Sequence, residues 1–184
     1  MTEKELQELR YPIGYFSRPD IITDEILAEW IAQLESYPDR LQSLVSALSE
    51  EQLACPYRPD GWTVRQVIHH VADSHHNSYV RFKWGLTEDR PTIKAYEEKH
   101  WAELFDTKTG PIALSLAHLR AVHAKLVFLL KGLSREQLRR TFIHPDDGSE
   151  TSLEENIGRY VWHGNHHFAH IRNLLERKGW LNEP

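Results

Sequence analysis

Two short segments hold eight of the chain's 12 histidines: IHHVADSHH, with His69, His70, His75 and His76, and WHGNHHFAH, with His163, His166, His167 and His170. His163 and His167 stand four positions apart. On a helix that spacing puts both imidazoles on one face, one turn apart, where two ring nitrogens can reach a single metal ion. A third ligand must come from another helix, and the earlier segment is the natural donor. Three neutral imidazoles leave a fourth position for water, the arrangement of a catalytic rather than a structural zinc site. A metal there can bring a bound water's pKa down to about 7, polarise a carbonyl, or deprotonate a bound thiol. Imidazole ligands alone do not choose among zinc, nickel, iron and copper.

Helices must do the positioning, because no stretch of the chain reads as a persuasive strand. Helical periodicity runs from Thr23 to Leu48, with Pro38 expected to kink or split it. A second long helix starts at the Thr63–Gln66 capping box, after the Asp60–Gly61 turn, and runs to about Leu86. The connection that follows, TEDRPTIKAYEEKHWAELFDTKTG, is too long for a simple helix–helix turn and is expected to cross one end of a bundle. Pro111 to Leu130 gives the third helix, HPDDGSE a loop, and Ser152 to Lys178 the fourth, stopped by Gly179. Ser49–Gln52 and Ser134–Gln137 open two short turns. The opening RYPIGYFSRPD, rich in Pro, Gly and aromatics, reads as an extended N-terminal arm on the body. The whole, residues 1–184, is expected to be a single all-α domain.

Stepping about 100° per residue sorts the histidines by face. On the last helix Leu153, Tyr160, Val161, Phe168, Ile171 and Leu175 share one arc. His167 sits at its edge and His163 just beyond it, while His166 points most nearly to solvent. On the second helix Val64, Val67, Ile68, Val71 and Phe82 define the buried arc; His69 and His76 point away from it. His70 lies at its border and His75 projects onto it, so periodicity leaves the two as equal candidates for the third ligand. Asp73, one turn after His70, is a candidate to orient an imidazole or act as a base. Ser74 and Asn156 fall on the ligand side of their helices. His163-Gly164 lacks the Glu of H-E-x-x-H, which argues against a zinc-protease helix.

Composition narrows the classes further. A net charge of −5 argues against generic nucleic-acid binding, which wants a basic surface. No apolar run is expected to reach the roughly 20 residues that span a bilayer. MTEKELQELRYP lacks the layout of a signal peptide, and the lone Cys55 suits a reducing compartment, so a cytoplasmic protein is expected.

The motifs YPIGYF, GWTVRQVIHHVADSH, NSYVRFK, YEEKHWAEL and YVWHGNHHFAHI, in this order and over nearly the whole length, resemble the YfiT branch of the DinB-like superfamily. The resemblance implies a four-helix bundle with up-down-down-up connectivity. It also implies a metal site built from the His before a hydrophobic-Ala-Asp triplet and an H-x-x-x-H pair on the last helix. These fall on His70, His163 and His167, which by resemblance decides between His70 and His75. The branch is described as metal-dependent hydrolases, with zinc or nickel suggested and homodimers in some members. Related DinB-like proteins transfer low-molecular-weight thiols such as bacillithiol, mycothiol or glutathione. The expected activity is therefore hydrolysis of a small molecule with one divalent ion per chain. Thiol S-transfer and non-enzymatic metal binding in a stress protein are the alternatives.

Overall fold

The structure, a computed structural model, describes residues 2–181. Its elements run α1 (Glu3–Arg10), α2 (Asp24–Val45), α3 (Glu50–Leu53), α4 (Val64–Thr87), α5 (Glu98–Trp101), α6 (Phe105–Thr109), α7 (Ile112–Lys131), α8 (Arg135–Leu138), β1 (Thr141–Ile143), β2 (Glu150–Ser152) and α9 (Leu153–Lys178). The four long helices α2, α4, α7 and α9 form the bundle. Each packs chiefly on two neighbours: α2 on α7 and α9, and α4 likewise on α7 and α9.

Side-chain pairs give the directions. His69 meets Ser115 and His75 meets His123, so α4 and α7 run parallel. Gly158 lies against Trp30 and Gly164 against Tyr37, so α2 and α9 run parallel as well. His70 meets His163 and Ser78 meets Asn156, which makes α4 and α9 antiparallel. The connectivity is up-down-down-up. Parallel α4 and α7 need a connection that returns along the bundle's length, which accounts for residues 88–111.

Local chemistry starts and stops the helices where the sequence suggests. The Thr63 hydroxyl accepts from the Gln66 N–H and the Gln66 side chain accepts from the Thr63 N–H, closing the capping box. Gly179, at φ 65°, ends α9 in the left-handed conformation that glycine adopts without steric cost.

Four expectations are corrected. Pro38 does not split its helix: α2 is continuous from Asp24 to Val45. Proline has no N–H for the Leu34 carbonyl four residues back, but that carbonyl accepts from His123 Nδ1 at 2.6 Å, so it is not left unpaired. A small antiparallel hairpin, β1 with β2, flanks the HPDDGSE loop where no strand was expected; three residues per strand are too few to show a period. The N-terminal arm is extended from Tyr11, as expected, but a capped helix, α1, precedes it. Finally, α7 is long and apolar enough to cross a membrane by length and composition, with a mean hydropathy of 1.5 over its window. Leu119, Val122, Leu126, Val127 and Leu130 are buried within the bundle, whereas Leu114 and Phe128 face outward.

The core falls into two apolar clusters. One gathers Leu27, Leu34, Phe82, Leu126, Leu130 and Ile157, and the other Leu41, Val45, Val67, Ile68, Leu119 and Ile171. Buried polar side chains complement them: His75, His123, Ser78 and Asn156, all at most 2% exposed. Polar groups so enclosed persist only when hydrogen-bonded to one another.

Candidate metal centre

α4 carries His70 and α9 carries His163 and His167, and the antiparallel crossing brings the three together. One ligand nitrogen from each lies within 4.8 Å of the others. His70 Nε2 is 3.3 Å from His163 Nε2, and Ser74 Oγ is 3.4 Å from the same nitrogen. The His70 ring stands 4.7 Å from Trp62, which walls the site from the loop before α4. Burial depresses the basicity of all three imidazoles, most of all His163 and His167, which fall well below the usual histidine range. Burial, then the field of His166, takes His70 to about 4. Neutral rings with free lone pairs are what a divalent ion requires. The donor set therefore fits a metal.

His75, the equal rival by periodicity, stands behind His163 rather than beside it. Its Nε2 is 3.3 Å from His163 Nδ1, and its Nδ1 is 2.8 Å from His123 Nε2. Two further placements depart from the periodicity. His69, expected in solvent, is buried and bonded to Ser115 Oγ at 2.7 Å and to the Gly110 carbonyl at 3.1 Å. The crossing segment and α7 cover that face of α4, and neither could be placed by stepping around one helix. His166, also expected in solvent, is buried by Trp162, stacked on it at 4.7 Å, and by Tyr11 of the N-terminal arm. His76 is exposed, as read.

Asp73 makes no side-chain hydrogen bond to His70, His163 or His167 among the described residues. Burial, then Asp106, raises its pKa to about 6. Burial raises the phenol of Tyr96, on the crossing segment near Ser74 and Asp73, well above the ordinary range. Asn156 is buried and donates to Ser78 Oγ at 3.1 Å. Tyr96 carried no sequence signal, because only the fold returns its loop to the site.

A pocket of about 630 Å³ opens onto His70 and His167. That is ample for a small molecule. Arg10, Arg58 and Lys99 outnumber Asp60 and Glu98 among the charged groups at its wall, with Tyr11 and Trp62 as aromatic surface. The sequence marked none of the three cations, since they come from α1, the loop after α3 and α5.

The DinB superfamily sequence profile matches residues 33–171. A relative from Bacillus cereus strain AH820, described as a candidate metal-dependent hydrolase, is 51% identical over 95% of this chain and all of its own length. One from Bacillus mycoides strain KBAB4, described in the same way, is 50% identical over the same shares. The solved structure of YfiT from Bacillus subtilis, described as a candidate metal-dependent hydrolase of unusual four-helix bundle topology, superposes with a TM-score of 0.93. It shares 47% identity over 95% of this chain and 99% of that one. The four-helix bundle protein TT2238, 20% identical with a TM-score of 0.54, shares the fold.

Proposed function

Because the chain belongs to the DinB superfamily, we propose that it is a metal-dependent hydrolase of a small molecule, holding one zinc or nickel ion through His70, His163 and His167. The convergence of three neutral imidazoles from two antiparallel helices, with His70 and His167 lining an open pocket, carries this reading. A divalent ion bound there would acidify its nucleophile, lowering a water's pKa to about 7 or ionising a thiol. The protein's own groups supply the rest. Trp62 and Tyr11 exclude water from one wall, and Arg10, Arg58 and Lys99 attract anionic groups on the substrate. Asp73 is the carboxylate we assign to proton transfer. At about 6 its pKa leaves it ionised at neutral pH and still basic enough to take a proton.

One observation favours a second reading. The three cations around the pocket suit the carboxylates of a low-molecular-weight thiol such as bacillithiol, which would make the protein a thiol S-transferase. The test offers zinc-loaded protein an activated-ester panel, then an electrophile together with each thiol. Hydrolysis should need no thiol and should vanish in His163→Ala. Turnover only with thiol, in a product that carries it, would replace the hydrolase reading with the transferase one. Silence in both arms with metal bound would favour a metal-binding protein.

A further inference from the structure

Three histidines that the proposed metal set does not use, His75, His123 and His170, stand in line behind two of its members. Each line ends on a backbone carbonyl, and a carbonyl can only accept. That fact fixes every proton along the way.

His123 Nδ1 lies 2.6 Å from the Leu34 carbonyl and must be the donor. A neutral imidazole has one N–H, so His123 Nε2 is a lone pair, and His75 Nδ1, 2.8 Å away, must donate to it. His75 Nε2 is then a lone pair, which His163 Nδ1 meets at 3.3 Å as a donor. His163 Nε2 is left bare, on the side of His70 and Ser74. The second line runs the same way. His170 Nε2 donates to the Arg10 carbonyl at 3.0 Å, its Nδ1 accepts, and His167 Nδ1 donates across 3.3 Å. His167 Nε2 is left bare as well. The three rings are buried, with only other imidazoles and carbonyls bonded to them, and a neutral imidazole carries one proton.

We propose that His75–His123 and His170 are positioning residues, two imidazole relays anchored on the Leu34 and Arg10 carbonyls that lock His163 and His167 as Nδ1–H tautomers with Nε2 free for a metal. Hydrogen bonds to the far nitrogen of a ligating histidine set its tautomer and orientation. Usually a carboxylate or carbonyl does this directly; here one or two further imidazoles carry the instruction across the core. Pro38 serves the longer relay, because a residue with an N–H at that position would compete for the Leu34 carbonyl. Tyr37 stacks on both His75 and His123 with centroids at 5.7 Å and packs the two rings from one side. No second imidazole backs His70 among the described residues. In the metal-free protein its Nε2–H can donate to the bare His163 nitrogen.

The proposal rests on the metal-site reading, yet its first test needs no metal. Nitrogen-15 NMR of the metal-free, histidine-labelled chain at neutral pH should find His163 and His167 protonated on Nδ1. Finding Nε2–H as the main form of either would overturn the relay. The second measurement is zinc affinity by competition with a chelator. His75→Phe keeps a flat ring but cannot accept from His163, and should bind zinc about 10–100-fold more weakly. His75→Gln, whose Oε1 can accept and whose amide can donate, should bind close to the original. A packing role predicts the reverse order, since Phe preserves the ring and Gln does not. Equal affinities in the two variants would also overturn the proposal. The expected tautomers in a protein that takes up no zinc would sink the metal reading and leave the proton order standing.

Discussion

Acid should dismantle the metal-free protein in a window set by its buried histidines. His70, His123 and His166 are each held at about 4 in the folded chain, by burial first and, for His70, by the field of His166 as well. In the unfolded chain each returns to about 6.5. Between those values the unfolded state binds more protons, so stability rises with pH across the window and is lost as pH falls. It is fully present above about pH 6.5 and declines until about pH 4. For one such ring, lowering the pH from about 7.5 to about 5.5 removes about 1.3 kcal/mol. Three rings together remove about 4 kcal/mol, a large share of the roughly 5–15 kcal/mol that holds a domain folded. His75, His163, His167 and His170 are depressed too and add in the same direction. Urea unfolding of metal-free protein at the two pH values should show a lower midpoint in acid with an unchanged slope. Zinc-loaded protein should be more stable at neutral pH and lose that advantage as protons compete for the ligand nitrogens. A midpoint that stays flat over these two pH values in the metal-free protein would refute the argument, since it would mean that the rings protonate without unfolding the chain.

Two further outcomes concern the frame. A Cβ on Gly158 would meet the Trp30 indole at 2.6–2.8 Å, where α9 crosses α2. Gly158→Ala should therefore cost about 1–3 kcal/mol in overpacking against about 1 kcal/mol gained in helix propensity, a net loss readable as a lower thermal midpoint. Thr63→Ala removes the hydroxyl that caps α4 two turns before His70, and should cost about 1 kcal/mol in chemical denaturation. The cap sits at the end of the helix, so metal stoichiometry should hold.

How much of this could be read from the residues varies with the range of the interactions. The four long helices were legible because each combines a periodic apolar face with a local start signal, such as Thr63 with Gln66. The pair His163 and His167 was legible for the same reason, being one turn of one helix. Periodicity could not choose between His70 and His75, because both lie on the bundle side of α4. Depth along the α4–α9 crossing separates them, and depth is a property of two helices. His69 and His166 were misread because their covers, the crossing segment with α7 and the N-terminal arm, come from elsewhere in the chain. That α2 runs unbroken through Pro38 could not be read, because the rule that proline breaks helices counts the missing N–H and takes no account of a distant imidazole. The hairpin β1–β2 was too short to leave a pattern. Tyr96 and the cations around the pocket carried none at all.

The hydrogen bond from His170 to the Arg10 carbonyl joins residues 160 positions apart, and Trp162 Nε1 reaches the Gly14 carbonyl across 148. During synthesis α1 and the arm emerge early, long before α9 exists to receive them. The three long helices made in between have no complete site to offer, since two of its three histidines sit on α9. The cluster can form only once α9 has been made, with α1 and α9 then closing on one another. A nascent chain stalled before α9 thus carries His70 alone and has no means of capturing a metal ion in this geometry. On the proposed reading, metal loading would wait for α9, and the bond from His170 to the Arg10 carbonyl would tie the docking of α1 to the same event.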